Sequence, residues 1–331
     1  MNSAKASSDV SAPLLNEGAS LLDQVVEQSK IAKSESEHLR ARDLIAELVA
    51  EVMQGTVVVS ENLARSLDAR IAELDRMLSE QLSLVMHAAE FQKLESSWRG
   101  LHHLVTESTT GAMIKIKVFN ASKKELMRDF KAALEFDQSS LFKKIYEEEF
   151  GTFGDAPFGA LIGDYAITRQ PEDLYFLEQM SHVAAAAHAP FITAPAPELL
   201  GLESFADLGR PRDMAKVFDT VEYAKWKSLR DSEDARYVGL ALPRFLGRLP
   251  YNPIDGITID SFPFVEDVDG RDHSRYLWCN AAYAHGVRLT QAFENFGWCA
   301  AIRGVEGGGL VEGLPTHTFN TDDGEVALKC P

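Results

Sequence analysis

Three features of the sequence predict a mixed α/β fold with a helical N-terminal region. Apolar residues recur at helical spacing through roughly the first third of the chain. The period changes to alternation at Gly111, and apolar runs then alternate with amphipathic segments. Residues 1–12 are Ser/Ala-rich, with Lys5 and Asp9 the only charged side chains, and read as a disordered tail. From Pro13, Leu14, Leu15, Leu21, Leu22, Val25 and Val26 fall near one helical face, opposite Glu17, Asp23, Gln24, Glu27 and Lys30. This pattern predicts an amphipathic helix over 13–31, ended by the polar link Lys33–Glu37. A helical region over 36–107 follows. Its first helix, 37–53, places Leu44, Ile45, Leu48, Val49 and Val52 inward. A second begins after Ser60, a side chain suited to an N-cap, and repeats Leu63, Leu67, Ile71, Leu74, Leu78 and Leu82. A third holds Phe91, Leu94, Trp98, Leu101 and Leu104.

The remaining residues, 108–331, form the α/β part. Ile114, Ile116 and Val118 alternate with Lys115 and Lys117, which predicts a strand. Helices are expected over 123–134 and 139–150, a strand over 158–167, a helix over 172–187 and a short strand over 191–194. A helix over 221–231 and a strand over 237–242 complete the alternation, which implies right-handed crossovers and a largely parallel or mixed buried sheet. Residues 252–272 read as a loop, the run from Tyr276 as a nearly all-apolar helix, and Val326–Leu328 as the start of a strand after the Asp322-Asp323-Gly324 turn.

Composition narrows the function. The chain has 331 residues, 45% apolar and 25% charged, and 50 acidic against 33 basic side chains give a net charge of −17. No Lys/Arg cluster offers the basic face that nucleic acid requires. Cys279, Cys299 and Cys330 form no CxxC pair, and neither His102–His103 nor His182–His188 has the spacing of a shared metal face. No signal peptide, membrane-length apolar run, GxSxG, HExxH, GxxxxGK[ST] or GxGxxG occurs. A cytoplasmic, non-enzymatic protein without cofactor, metal or membrane insertion is therefore expected.

Five glycines lie in the ten positions from Gly304 to Gly313. No Lys or Ser/Thr closes this run as a P-loop demands. Leu310 and Val311 follow it, and Glu306 and Glu312 would repel an anion. Gly307, Gly308 and Gly309 are read instead as permitting close approach and positive φ. Trp98 and Arg99 are candidates for an interface anchor, or for a helix end before Gly100 with Trp98 in the core. Arg244 and Arg248, just beyond Pro243, are candidates for ion pairs within the chain or across a subunit contact.

Four stretches carry a resemblance: EFQKLESSWRGLHHLV (90–105), FGALIGDY (158–165), LALPRFLGRLPY (240–251), and the run from Tyr276 to Phe319. Together the chain resembles the large contractile-sheath subunit of the bacterial type VI secretion system (the TssC, or VipB, family). That resemblance implies a structural subunit that assembles with a small sheath subunit (TssB, or VipA) and further copies of itself into a helical sheath around an inner tube protein. Contraction of the sheath would drive secretion. It further implies recognition by a ClpV-type AAA+ unfoldase, for which Leu21, Leu22, Val25 and Val26 match the expected apolar face. Family members are longer, so 108–331 is expected to be a sheath domain cut short at its C-terminus. The alternatives are a sheath component of another phage-tail-derived injection system, and a nucleotide-binding enzyme using the Gly304–Gly313 loop.

Overall fold

The computed structural model describes residues 26, 34–54, 63–154, 156–208, 214–252, 254, 256–259, 262–268, 272–300, 302–311, 316–321 and 324–329. The chain divides into two units, Met1–Leu78 and Ser79–Pro331. In the first, α1 (Glu35–Met53) opens with a capping box. Glu37 N–H donates to Ser34 Oγ at 3.3 Å, and Ser34 N–H to Glu37 Oε2 at 3.2 Å. The inward face expected for this helix is only partly realised. Ala41 is buried and Ile45, Leu48 and Val52 are half-buried, while Leu44 and Val49 are exposed because they flank the stripe. Helix α2 (Leu63–Met86) crosses the division; its expected cap, Ser60, lies outside the described residues. Within the first unit Arg70 ties the two helices, donating to Glu51 at 2.8 Å and to Glu73 at 2.9 Å.

The second unit is built on a three-stranded parallel sheet in the order β1 (Leu161–Ile167), β2 (Phe191–Pro195), β3 (Val238–Leu240). Leu161 pairs with Phe191, and Phe191 with Val238. All five residues of β2 are buried, as a central strand covered on both faces requires. Alternation along β1 sorts its side chains between two cores. Leu161, Tyr165 and Ile167 join a cluster with Phe176, Leu177, Met180 and Val183 of α6 (Pro171–Ala186). That cluster is closed by Leu126 and Phe130 of α4 (Lys123–Ala132), and by Leu141, Phe142 and Ile145. The last three belong to α5 (Ser140–Phe142) and the π-helical turn Lys143–Phe150 that continues it. Ile162 points the other way, against Leu104 of α3 (Ala89–Thr106) and Tyr283 and Val287 of α9 (Ala281–Phe296).

Helices α3 and α9 approach closely because each presents a glycine. A Cβ on Gly100 would lie 2.3 Å from Tyr283 Cδ2, and one on Gly286 3.0 Å from Leu104 Cδ1. Helix α3 therefore continues through Gly100 to Thr106, so the expectation of a helix end before Gly100 is not met. In the chain, the short α7 (Met214–Val217) and α8 (Ala224–Asp231) come between β2 and β3.

Two further expectations are corrected. At residues 114–118 Ile114 and Ile116 are half-buried and the lysines exposed as expected, but among the described residues no strand forms there or pairs with them. Alternation alone does not make a ladder. The run from Tyr276 begins not as helix but as β5 (Trp278–Cys279), antiparallel to β4 (Phe245–Leu246). Helix α9 starts only at Ala281, where Asn280 Oδ1 accepts from Ala282 N–H at 2.8 Å. The strand expected near 326–328 is β7 (Gly324–Lys329), whose hairpin partner β6 (Thr316–Thr321) the sequence reading missed.

Candidate functional site

The second unit concentrates its buried charge around Arg248 and its exposed apolar side chains along α3. Among the described residues no group of His, Cys, Asp and Glu could hold a metal ion, and no helix is long and apolar enough to cross a membrane.

Arg248, left open in the sequence between an internal and an intersubunit role, is internal. Its Nε donates to Glu95 Oε1 at 2.8 Å, its Nη1 to Glu266 Oε2 at 2.6 Å and its Nη2 to Glu266 Oε1 at 3.0 Å. The two side chains are 4% and 1% exposed. Tyr251 N–H donates to Glu266 Oε2 at 3.0 Å, and His87 Nε2 lies 3.2 Å from Glu266 Oε1. Burial pushes the Glu266 carboxyl up, but the hydrogen bonds from Arg248 and Tyr251 outweigh it and hold the group below its ordinary value. Burial likewise lowers Arg248, and the Glu266 and Glu95 carboxylates more than restore it. Both stay charged. The pair fastens the 262–268 segment to the end of β4 and to α3.

Glu95 is shared, because Arg99 Nε donates to its Oε1 at 2.7 Å from the next turn of α3. Arg99 is thus held on its own helix. Arg244 stacks its guanidinium 4.7 Å from the Phe205 ring centroid and 5.7 Å from that of Trp278.

Trp98 is not in the core: 65% of it is exposed. Phe91, Leu94 and Val105, also exposed, share its face of α3 at i, i+3, i+7 and i+14. Turned inward from that face, Ser97 Oγ donates to Asp164 Oδ2 and Cys279 Sγ–H reaches Ser96 O at 3.3 Å, while beside them Asn280 Nδ2–H reaches Tyr165 O at 3.2 Å. Burial and the Asp164 carboxylate push the Tyr283 phenol up, and burial pushes the Cys279 thiol up to about 11. The Tyr283 phenol and the Cys279 thiol in this seam between α3, β1 and α9 therefore stay protonated, and the seam is structural.

The glycine-rich turn begins as a five-residue helix, α10 (Gly304–Gly308). Gly304 and Gly309 have φ of 78° and 76°, the left-handed region glycine favours, while Gly307 is buried. Gly308 lies in the same helix. A Cβ on Gly309 would come within 2.7 Å of Arg288 Nη1, and that nitrogen donates to Leu310 O at 2.9 Å. The turn serves to seat the backbone on α9.

Of the four residues matched to unfoldase recognition, Val26 is helical and 1% exposed, while Leu21, Leu22 and Val25 lie outside the described residues. Sequence reasoning missed Glu95, Glu266, His87 and Asp164. Only Glu95 left a local signal, its position one turn before Arg99.

Comparison with known proteins adds two findings. Residues 68–331 match the family model described as EvpB/VC_A0108, tail sheath N-terminal domain. Over 302 residues the chain is 47% identical to the type VI secretion system sheath protein TssC1 of Pseudomonas aeruginosa, a match covering 90% of this chain. The chain spans about 60% of that relative's length.

Proposed function

The chain belongs to the tail-sheath family of type VI secretion, and on that premise we propose that it is the large-subunit part of a contractile sheath. In this reading it pairs in the cytoplasm with a small sheath subunit, and the pairs polymerise helically around an inner tube. Contacts between unlike patches that do not close into a ring generate such an open helix. Contraction then repacks the same subunits and drives secretion.

The observation that carries the reading is the apolar face of α3, on which Trp98 stands 65% exposed. An isolated soluble unit gains nothing from holding a tryptophan in water, whereas an assembling subunit gains an anchor. The small sheath subunit is assigned to this face. Burying Trp98 with Leu94 at a contact contributes roughly 2–4 kcal/mol. Co-expression with the cognate small subunit, followed by size exclusion with light scattering, tests this. A stable complex is expected, weakened at least tenfold by Trp98→Ala at unchanged thermal stability. A folded chain that ignores the small subunit sinks the assignment.

Unfoldase recognition through Leu21, Leu22, Val25 and Val26 belongs to the same proposal. Because Val26 is buried, its side chain has to be uncovered before an unfoldase can grip it. A peptide covering 13–31 should bind a ClpV-type unfoldase more tightly than the folded chain does. Equal affinity refutes the uncovering step.

A further inference from the structure

Leu177 of α6, Leu229 of α8, and Val238 and Leu240 of β3 close on a cavity of about 400 Å³, with Trp226 in its wall. These side chains belong to the core cluster around α6 or pack on it, so the cavity is cut into the flank of that core. Its frame is fixed in advance. Ser232, where α8 ends, donates from Oγ to Leu229 O at 2.7 Å. Asp234, in the 3₁₀ turn Glu233–Tyr237, meets His182 Nδ1 of α6 at 2.8 Å. A cavity built beforehand loses little freedom on being filled.

Two observations say what fits. The floor is aliphatic, and its volume lies at the small end of the roughly 300–1,000 Å³ typical of ligand cavities. The charge around it is of one sign. Arg230 and Arg236 line the cavity and are exposed, which puts them at its mouth, and no acidic side chain lines it. That is against the balance of a chain with 50 acidic and 33 basic residues. Among the described residues no ion pair holds Arg230. Arg236 has Glu233 at 3.4 Å, between two well-exposed side chains, a contact that contributes little. A planar guanidinium over an aliphatic floor is matched by a carboxylate on a hydrocarbon chain.

We infer that this cavity binds a medium-chain aliphatic carboxylate. The chain lies against Leu177, Leu229, Val238 and Leu240, and the carboxylate accepts hydrogen bonds from Arg230. Apolar burial supplies affinity, and the guanidinium selects the charged head. The cavity shares no residue with the Trp98 face of α3, so this inference stands or falls independently of that assignment.

The test titrates the full chain with 2-bromodecanoate, whose bromine quenches nearby tryptophan emission. Saturable quenching is expected, and Trp226→Phe, which keeps an aromatic wall, should remove it while Trp98, Trp278 and Trp298 go on emitting. Calorimetry with hexanoate, octanoate and decanoate should show binding tighten about fourfold per added CH₂. Arg230→Met should weaken decanoate at least about tenfold and leave decanol unchanged. Ala235→Trp, which fills the cavity from the turn, should abolish binding of both, with thermal melts confirming that the variants are folded. Arg230 is exposed and holds no partner, so its variant decides the matter even if Ala235→Trp does not fold. Absence of saturable quenching, quenching that survives Trp226→Phe, or decanol bound as tightly as decanoate overturns the inference.

Discussion

Removing Arg248 should damage the second unit more than any other single surface-remote charge change. In Arg248→Ala, Glu95 keeps Arg99 at 2.7 Å, but Glu266, 1% exposed, is left with only Tyr251 N–H and His87 beside it. Breaking one side of a buried pair strands a charge and costs about 3–5 kcal/mol. At about 2–4 °C per kcal/mol for a unit of this size, the melting temperature should fall by roughly 6–20 °C. The double variant Arg248→Met/Glu266→Leu removes both charges, and should recover most of that loss because it strands neither. Differential scanning calorimetry of wild type, Arg248→Met, Glu266→Leu and the double gives the coupling directly. A loss under about 1 kcal/mol for Arg248→Ala, or a double variant as unstable as the singles combined, would falsify the buried-pair account.

Other consequences are simpler to check. Gly100→Ala should cost about 1–3 kcal/mol in denaturant melts, since its Cβ has no room beside the Tyr283 ring, whereas Gly111→Ala, with nothing within 4 Å, should stay within ~0.5 kcal/mol. Native thiol labelling read by peptide mass spectrometry should mark the exposed Cys299 and spare Cys279, which is fully buried and whose thiol burial pushes up to about 11; labelling of Cys279 without unfolding refutes that burial. Asp173 feels burial upward, but Lys123, with Nζ at 2.7 Å, and the N–H and hydroxyl of Thr168 hold it below its ordinary value. Its folded value is depressed, so its stabilisation is present above the unfolded carboxylate value of about 4 and is lost as pH falls through the folded one. Asp173→Asn should therefore flatten the acid limb of the stability curve; an unchanged limb contradicts the assignment.

The helices were legible because their signal is local. Ser34 and Glu37 announce the start of α1, and Ser122 and Glu125 that of α4, by the same capping spacing. The parallel sheet was legible from strand and helix alternation. What could not be read is which partner each group meets. Residues 114–118 alternate correctly, but nothing in their sequence says whether a strand lies beside them. Trp98 sits on a helix with an apolar stripe wider than the surface α9 covers, so its periodicity fits core and interface alike. Arg248 was visible as an arginine beyond a strand, yet its partners lie 153 residues before it and 18 after it. Only folding brings those carboxylates together, and Asp164 reaches Ser97 in the same way across 67 residues.

The closed interior also limits where an assembly contact can be. Arg248 and Asp173 spend their charge inside the second unit, Arg99 on its own helix and Arg244 over aromatic rings. A contact that recruited any of them would first have to break an interaction already made, at a cost the new one must exceed. The Trp98 face of α3 carries no such cost. Burial of Trp98 is apolar and should be nearly indifferent to ionic strength, so a partner complex built on this face should hold its affinity as salt rises from 0.05 to 0.5 M, and one that loses affinity steeply over that range uses a charged contact instead.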